Sequence, residues 1–99
     1  TLKGSKYLQL YVPCVPGWGI EPKDTVNVAK LAVQTGYYPI VEYINGELTA
    51  KMKINKQEPI ENFLKLQKRF KHLFKSGAEG ELKKWQEMCE SNIKEFSLM

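Results

Sequence analysis

Residues 37–54 read YYPIVEYINGELTAKMKI, with Asn45-Gly46 at their centre. Asn-Gly is the preferred dipeptide of a two-residue hairpin loop, because both positions tolerate the positive φ that the turn requires. Such a loop pairs Ile44 with Glu47, Tyr43 with Leu48, Glu42 with Thr49 and Val41 with Ala50. Tyr43, Leu48, Val41, Ala50 and Met52 then share one face. Glu42, Thr49, Lys51 and Lys53 fall mainly on the other, with Ile40 and Ile44 softening the contrast. The alternation agrees across both segments, which predicts a half-buried antiparallel hairpin.

Upstream of the hairpin, Gly36 and Pro39 mark the end of a helix over Val26 to Thr35, with Asp24 or Thr25 as its N-cap. Val26, Val28, Ala29, Leu31, Ala32 and Val33 cover most of its circumference, which predicts burial on several sides. Before it, residues 13–22 read PCVPGWGIEP. Three prolines and two glycines there predict a loop of defined shape. Tyr7 to Val12 is aromatic and apolar and reads as a buried strand.

Downstream, Pro59 suits a first helical turn. Ile60, Phe63, Leu64, Phe70, Leu73 and Phe74 follow helical spacing, with Lys65, Lys68, Arg69, Lys71, His72 and Lys75 opposite. Residues 76–80, SGAEG, break the pattern. A last helix from about Glu81 to Phe96 carries the stripe Leu82, Trp85, Cys89, Ile93 and Phe96. The predicted order is strand, helix, hairpin, helix, helix, an α+β arrangement for the chain taken alone.

Composition narrows the function. The chain has 99 residues, 15 basic and 11 acidic side chains and a net charge of +4. One small domain of this length buries about 60–65% of its unfolded surface. Apolar content of 42% and charged content of 26% fit a folded globular protein. No apolar run approaches the ~20 residues of a membrane span. The opening TLKGSKYLQLYV has too short and broken an apolar stretch for a secretory leader. With no initiator Met, the chain is expected to be processed, trimmed or a fragment. Two cysteines make no disulfide framework, and a reducing cytoplasmic setting is expected. One histidine and two distant cysteines cannot complete a structural zinc site. Walker or Rossmann glycine spacing is missing, and His72 in a basic run is a poor base for a triad. No catalytic residue is assigned.

Cys14 is the most informative residue. Pro13 before it and Pro16-Gly17 after it hold a thiol on a stiff turn. Thiolates ligate soft metals and iron–sulfur clusters, but a [4Fe–4S] cluster needs four of them. The plain alternative is a structural cysteine in the core, and Cys89, on the last helical stripe, reads as core or interface. Trp18 reads equally as a shield that keeps water from a redox centre or as ordinary packing. The run KLQKRFKHLFK (residues 65–75) could suit nucleic acid, but Phe70 and Phe74 lie opposite the cations and are no stacking platform. Neither nucleic acid nor membrane is expected as a partner. The rival class is a free-standing interaction module that binds an acidic partner through this lysine-rich helix.

The run YVPCVPGWGIEPKDTVNVAKLAVQTGYYPIVEYINGE (residues 11–47) resembles the late part of the thiamine-diphosphate (β) subunit of pyruvate:ferredoxin oxidoreductases, within the 2-oxoacid:ferredoxin oxidoreductase family. That family reads Pro-Cys-Pro-Thr-Gly-Trp at a strand end. A helix ending Leu-Ala-Val-x-Thr-Gly and a strand ending Glu-x-x-Asn-Gly follow. PIENFLKLQKRFKHLF (residues 59–74) is similar to the family's Pro-Val-x-x-Tyr-Leu-x-Leu-Gln-x-Arg-Phe-x-His-Leu. The departures, Val15-Pro16 after the cysteine and Phe63 at the tyrosine position, remove no functional atom.

The resemblance implies that Cys14 is the last of four ligands to a [4Fe–4S] cluster near the thiamine diphosphate. The other three cysteines, and the Gly-Asp-Gly motif that holds Mg2+ and the diphosphate, are not in this sequence, so no cofactor-binding residue is assigned. Residues 1–36 would end an α/β thiamine-diphosphate domain, and residues 37–99 would form a hairpin and helical extension. The implied whole-enzyme reaction converts pyruvate and CoA to acetyl-CoA and CO2 and reduces ferredoxin; the segment alone is not expected to turn over. Branched-chain 2-oxoacid enzymes share much of the pattern. Arg69 and His72 match its Arg-Phe-x-His, implying a structural or subunit-contact role. Lys68, Lys71 and Lys75 could steer an acidic ferredoxin.

Overall fold

The computed structural model describes residues 4–99. The stretch read as no leader therefore begins with three residues outside the description. Eight short elements follow in order. A helical turn α1 (Val15–Trp18) and a 3-10 turn (Pro22–Asp24) lead into α2 (Thr25–Gln34). The hairpin is β1 (Val41–Ile44) and β2 (Glu47–Lys51). Then come α3 (Ile60–Leu64), a 3-10 segment (Lys68–Phe74) and α4 (Glu79–Glu95). A two-stranded antiparallel sheet beside helices makes the chain α+β.

The core lies where α2, α3 and α4 meet. Val28 and Ala32 of α2, Ile60, Phe63 and Leu64 of α3, Leu73 of the 3-10 segment and Cys89 of α4 form one buried cluster with Ile20. Helix α2 buries one face rather than most of its circumference, and Val26 is exposed. At its C-terminus Thr35 is buried and back-bonds from Oγ1 to the Leu31 carbonyl at 2.7 Å. Gly36 then turns the chain at φ +87°. A Cβ there would lie 2.8 Å from the Cys89 carbonyl oxygen and 2.8 Å from Ile93 Cγ1. Asn92 Nδ2 donates to the Gly36 carbonyl at 2.9 Å. Glycine is thus needed here twice, for the left-handed backbone and for the close approach of α4. Helix α4 carries the expected stripe, with Cys89 fully buried and Leu82, Trp85, Ile93 and Phe96 partly so.

The hairpin forms at Asn45-Gly46, both at positive φ (53° and 81°). Ile44 pairs with Glu47 and Tyr43 with Leu48, as the turn dictates, but the register then slips. Glu42 pairs with Ala50 and Val41 with Lys51, leaving Thr49 as the extra residue of a bulge. Its hydroxyl donates to the Glu42 carboxylate at 2.7 Å. The hairpin is also not half-buried: every β2 residue is exposed, because the pair packs chiefly on itself.

Two further expectations fail. Tyr7 to Val12 forms no strand and, apart from half-buried Tyr11, is exposed. Tyr7, Leu8, Leu10 and Val12 are 70–87% exposed. A strand forms only against a partner that satisfies its N–H and C=O groups, and among the described residues none lies beside it. The helix after Pro59 does not run through to Phe74. It stops at Leu64, and Gln67 adopts an extended conformation (φ −122°, ψ 116°) before the 3-10 segment begins. The tighter winding changes which side chains point inward. Leu73 is buried, Phe70 is half-buried, and Phe74 is exposed rather than core.

Candidate functional site

Proline and glycine shape the turn around Cys14. Cys14 itself is extended (φ −110°, ψ 105°) and precedes α1, whose first turn carries Pro16, a position where the missing N–H is no loss. So the predicted loop contains a helical turn. Trp18 N–H donates to the Cys14 carbonyl at 2.9 Å, and Ile20 N–H to the Val15 carbonyl at 3.1 Å. Gly19 closes the turn at φ +66°, where a Cβ would meet Lys68 Cβ at 2.5 Å. Lys68 N–H donates to the Gly19 carbonyl at 3.1 Å. The turn is thereby tied to the start of the 3-10 segment, 49 residues later in the chain.

The Cys14 thiol is free and exposed at the rim of this turn. Gly17 leaves room beside it: a Cβ there would lie 3.2 Å from the sulfur. Among the described residues no three His, Cys, Asp or Glu side chains converge as a metal-binding group. The donor set at Cys14 therefore fits a cluster only as one thiolate of four. Cys89 is different in kind. It is buried against α2, and burial pushes its thiol up to about 11, with the Thr35 hydroxyl lowering it and Glu90 raising it. A thiol kept protonated and enclosed is a packing group, in accord with the core reading.

Aromatic rings cluster around Trp18 of this turn. Tyr11 lies 5.3 Å from Trp18 and 4.8 Å from Tyr38, centroid to centroid. Tyr37 stacks on Trp85 at 5.7 Å and tilts against Phe63 at 5.0 Å. Trp85 in turn meets the edge of Phe70 at 5.2 Å. The aromatic wall thus joins the turn to the core. The Tyr11 hydroxyl is buried without a hydrogen-bond partner. Its pKa is raised by burial first and by Tyr37 next, with the Arg69 charge pulling it back.

Arg69 and His72, adjacent in expectation, part company. His72 is exposed and Arg69 half-buried, with its guanidinium carbon 3.8 Å from the Trp18 ring centroid. Lys65, Lys68, Lys71 and Lys75 are exposed, as a solvated basic face requires. Gln67 is buried within that basic run, which helical spacing does not predict for a glutamine among lysines. Nor does spacing reveal Tyr11, which lies in a segment otherwise open to solvent. A hollow of about 610 Å³ lies elsewhere, between α2 and the chain after β2. Val26, Ala29, Val33, Ile40, Met52 and Ile54 line its apolar part.

No protein-family model matches the chain. Individual relatives do. The chain is 45% identical over 96 residues to the pyruvate synthase subunit PorB of Methanosarcina barkeri. It is 38% identical over 89 residues to the PorB subunit of Methanocaldococcus jannaschii. Against the ketoisovalerate oxidoreductase subunit VorB of Pyrococcus horikoshii it is 44% identical over 86 residues. These matches take in 96%, 90% and 85% of the chain. The chain belongs to the PorB/VorB family of oxidoreductase subunits. It spans 32%, 30% and 27% of those relatives, about a third of their length. In this PorB/VorB-type chain, the turn at Cys14, helix α2 and the hairpin all lie within the 96% of the chain that matches the Methanosarcina barkeri subunit. No helix among the described residues is long and apolar enough to cross a membrane.

Proposed function

We propose that the chain works as part of a 2-oxoacid:ferredoxin oxidoreductase whose substrate is pyruvate, supplying Cys14 as one ligand of a [4Fe–4S] cluster. The observation that carries this reading is the match of nearly the whole chain to PorB and VorB subunits, taken with an exposed, unpaired thiol on a turn braced by proline and glycine. Residues 1–36 end the thiamine-diphosphate domain of the subunit, and residues 37–99 form its hairpin and helical extension. In the assembled, cytoplasmic enzyme, Cys14 would hold one corner of a [4Fe–4S] cluster, which would supply one-electron chemistry toward ferredoxin, and thiamine diphosphate with Mg2+, held outside these residues, would supply the decarboxylation chemistry. This chain's own contribution is to hold one thiolate on a turn that Trp18 and Tyr11 pack onto the rest of the fold, and to present surface to the other subunits. Its lysines leave a positive face toward an acidic ferredoxin.

Pyruvate is preferred over the branched-chain 2-oxoacid because, at like identity of 44–45%, the match to a pyruvate synthase subunit takes in 96% of the chain and those to ketoisovalerate subunits 85%. The test is anaerobic reduction of ferredoxin by the assembled enzyme with CoA and either pyruvate or 3-methyl-2-oxobutanoate. A higher kcat/KM for pyruvate is expected. The reverse order overturns the substrate assignment, and reduction with neither overturns the reaction class.

A further inference from the structure

We propose that Arg69 is a positioning residue for the Cys14 turn, acting through Trp18. The chain holds fourteen lysines and one arginine, and that arginine lies on the Trp18 ring, 3.8 Å from guanidinium carbon to centroid. A second ring, Phe70, lies 4.5 Å away on its own segment. Arg69 Nε donates to Gln67 Oε1 at 2.8 Å. Gln67 is itself fixed: it is 1% exposed, and its Nε2 donates to the Phe63 carbonyl at 3.0 Å. With the amide so oriented, its oxygen can only face Arg69.

These contacts form a continuous brace. It runs from the Phe63 backbone in the core, through Gln67 and Arg69, to the Trp18 ring. From there the Trp18 N–H reaches the Cys14 carbonyl at 2.9 Å. The backbone bond from Lys68 to Gly19 anchors the other end of the turn. Two attachments from adjacent residues, Lys68 to Gly19 and Arg69 to Trp18, restrain the turn against rotation as well as against lifting. The chemistry needs a guanidinium. A planar cation stacks on an indole face while still donating in its own plane, and an ammonium does not do both. Extended Gln67 is explained by the same brace: breaking the helix there aims Gln67 and Arg69 together at the turn.

The brace is a property of the folded chain. Its bearing on electron transfer rests on Cys14 being a cluster ligand, and the test separates the two. Amide hydrogen exchange in the 99-residue chain reads the brace directly at Trp18, Ile20 and Lys68. In Arg69→Gln and in Arg69→Lys those three amides are expected to exchange about tenfold faster, in line with a lost cation–π and charge-assisted contact. Amides of α2 and α4 are expected to keep their rates. Trp18→Leu should have the same local effect, and the double variant Trp18→Leu with Arg69→Gln no more than either alone. In the assembled enzyme, Arg69→Lys is expected to broaden the cluster's electron paramagnetic resonance signal as Arg69→Gln does. Unchanged exchange at the three amides, full recovery by lysine, or a uniform rise across the whole chain overturns the brace. Full iron content in Cys14→Ala overturns the ligand reading alone and leaves the exchange result standing.

Discussion

Gly36→Ala is the substitution that loads the fold most heavily. Two effects add. A residue with a Cβ at φ +87° sits in left-handed backbone, at about 1–2 kcal/mol. The new methyl also meets the Cys89 carbonyl oxygen at 2.8 Å and Ile93 at 2.8 and 2.9 Å. Ile93 can rotate, but the carbonyl belongs to the backbone of α4 and yields only if α4 moves off α2, an overpacking of about 1–3 kcal/mol. The sum is about 2–5 kcal/mol, against a total stability of about 5–15 kcal/mol for a domain of this kind. A fall in Tm of roughly 8–40 °C follows from ~4–8 °C per kcal/mol. Gly77 supplies the control, because it has φ +92° and nothing within 4 Å of its hypothetical Cβ. Gly77→Ala therefore carries the dihedral part alone. Urea unfolding of both variants, followed by circular dichroism at matched m-values, gives the difference. Equal destabilisation by the two would refute the close docking of α2 on α4.

Other outcomes follow from the same contacts. Gly80 lies within α4 with open space around it, so Gly80→Ala should stabilise by up to about 0.5–1 kcal/mol in the same urea assay; a loss of stability would show that α4 does not begin at Glu79. Alkaline pH should weaken the fold through Cys89. Its thiol is raised from 9.0 to about 11 on burial. Below pH 9 it is protonated folded and unfolded, and it gives no slope. Between pH 9 and 11 the folded state holds a proton that the unfolded chain has lost, so stability falls as pH rises, by up to about 2–3 kcal/mol. Cys89→Ala, less stable at pH 8, should lack that part of the slope; an identical slope between pH 9 and 11 would remove Cys89 from the core.

The elements that sequence reading finds are those specified by short-range chemistry. Asn45-Gly46 dictates its turn and the two pairs next to it. Gly36 and Pro39 end α2, and the three-and-four spacing of Leu82, Trp85, Cys89 and Ile93 gives α4 its buried face. What it misses depends on partners distant in the chain. The register slip at Thr49 arises beyond the reach of the turn. Tyr7 to Val12 has strand chemistry but no neighbouring strand among the described residues. Helical spacing from Ile60 to Phe74 conceals the break at Gln67, because Leu73 faces inward whether the winding is α or 3-10. The candidate site divides in the same way. Pro13, Cys14, Pro16 and Gly17 are legible as a stiff thiol-bearing turn. The brace through Gln67 and Arg69 comes from residues about fifty positions later, and only the folded chain brings Arg69 to Trp18.

The central claim is that Cys14 holds a cluster. Iron content and the low-temperature electron paramagnetic resonance spectrum of the assembled enzyme, purified anaerobically with Cys14 intact and as Cys14→Ala, test it most directly. The account predicts the loss of one [4Fe–4S] signal and about four iron atoms per subunit, with circular dichroism of the subunit unchanged because the thiol is exposed. Full iron content and an unaltered spectrum in Cys14→Ala would contradict it.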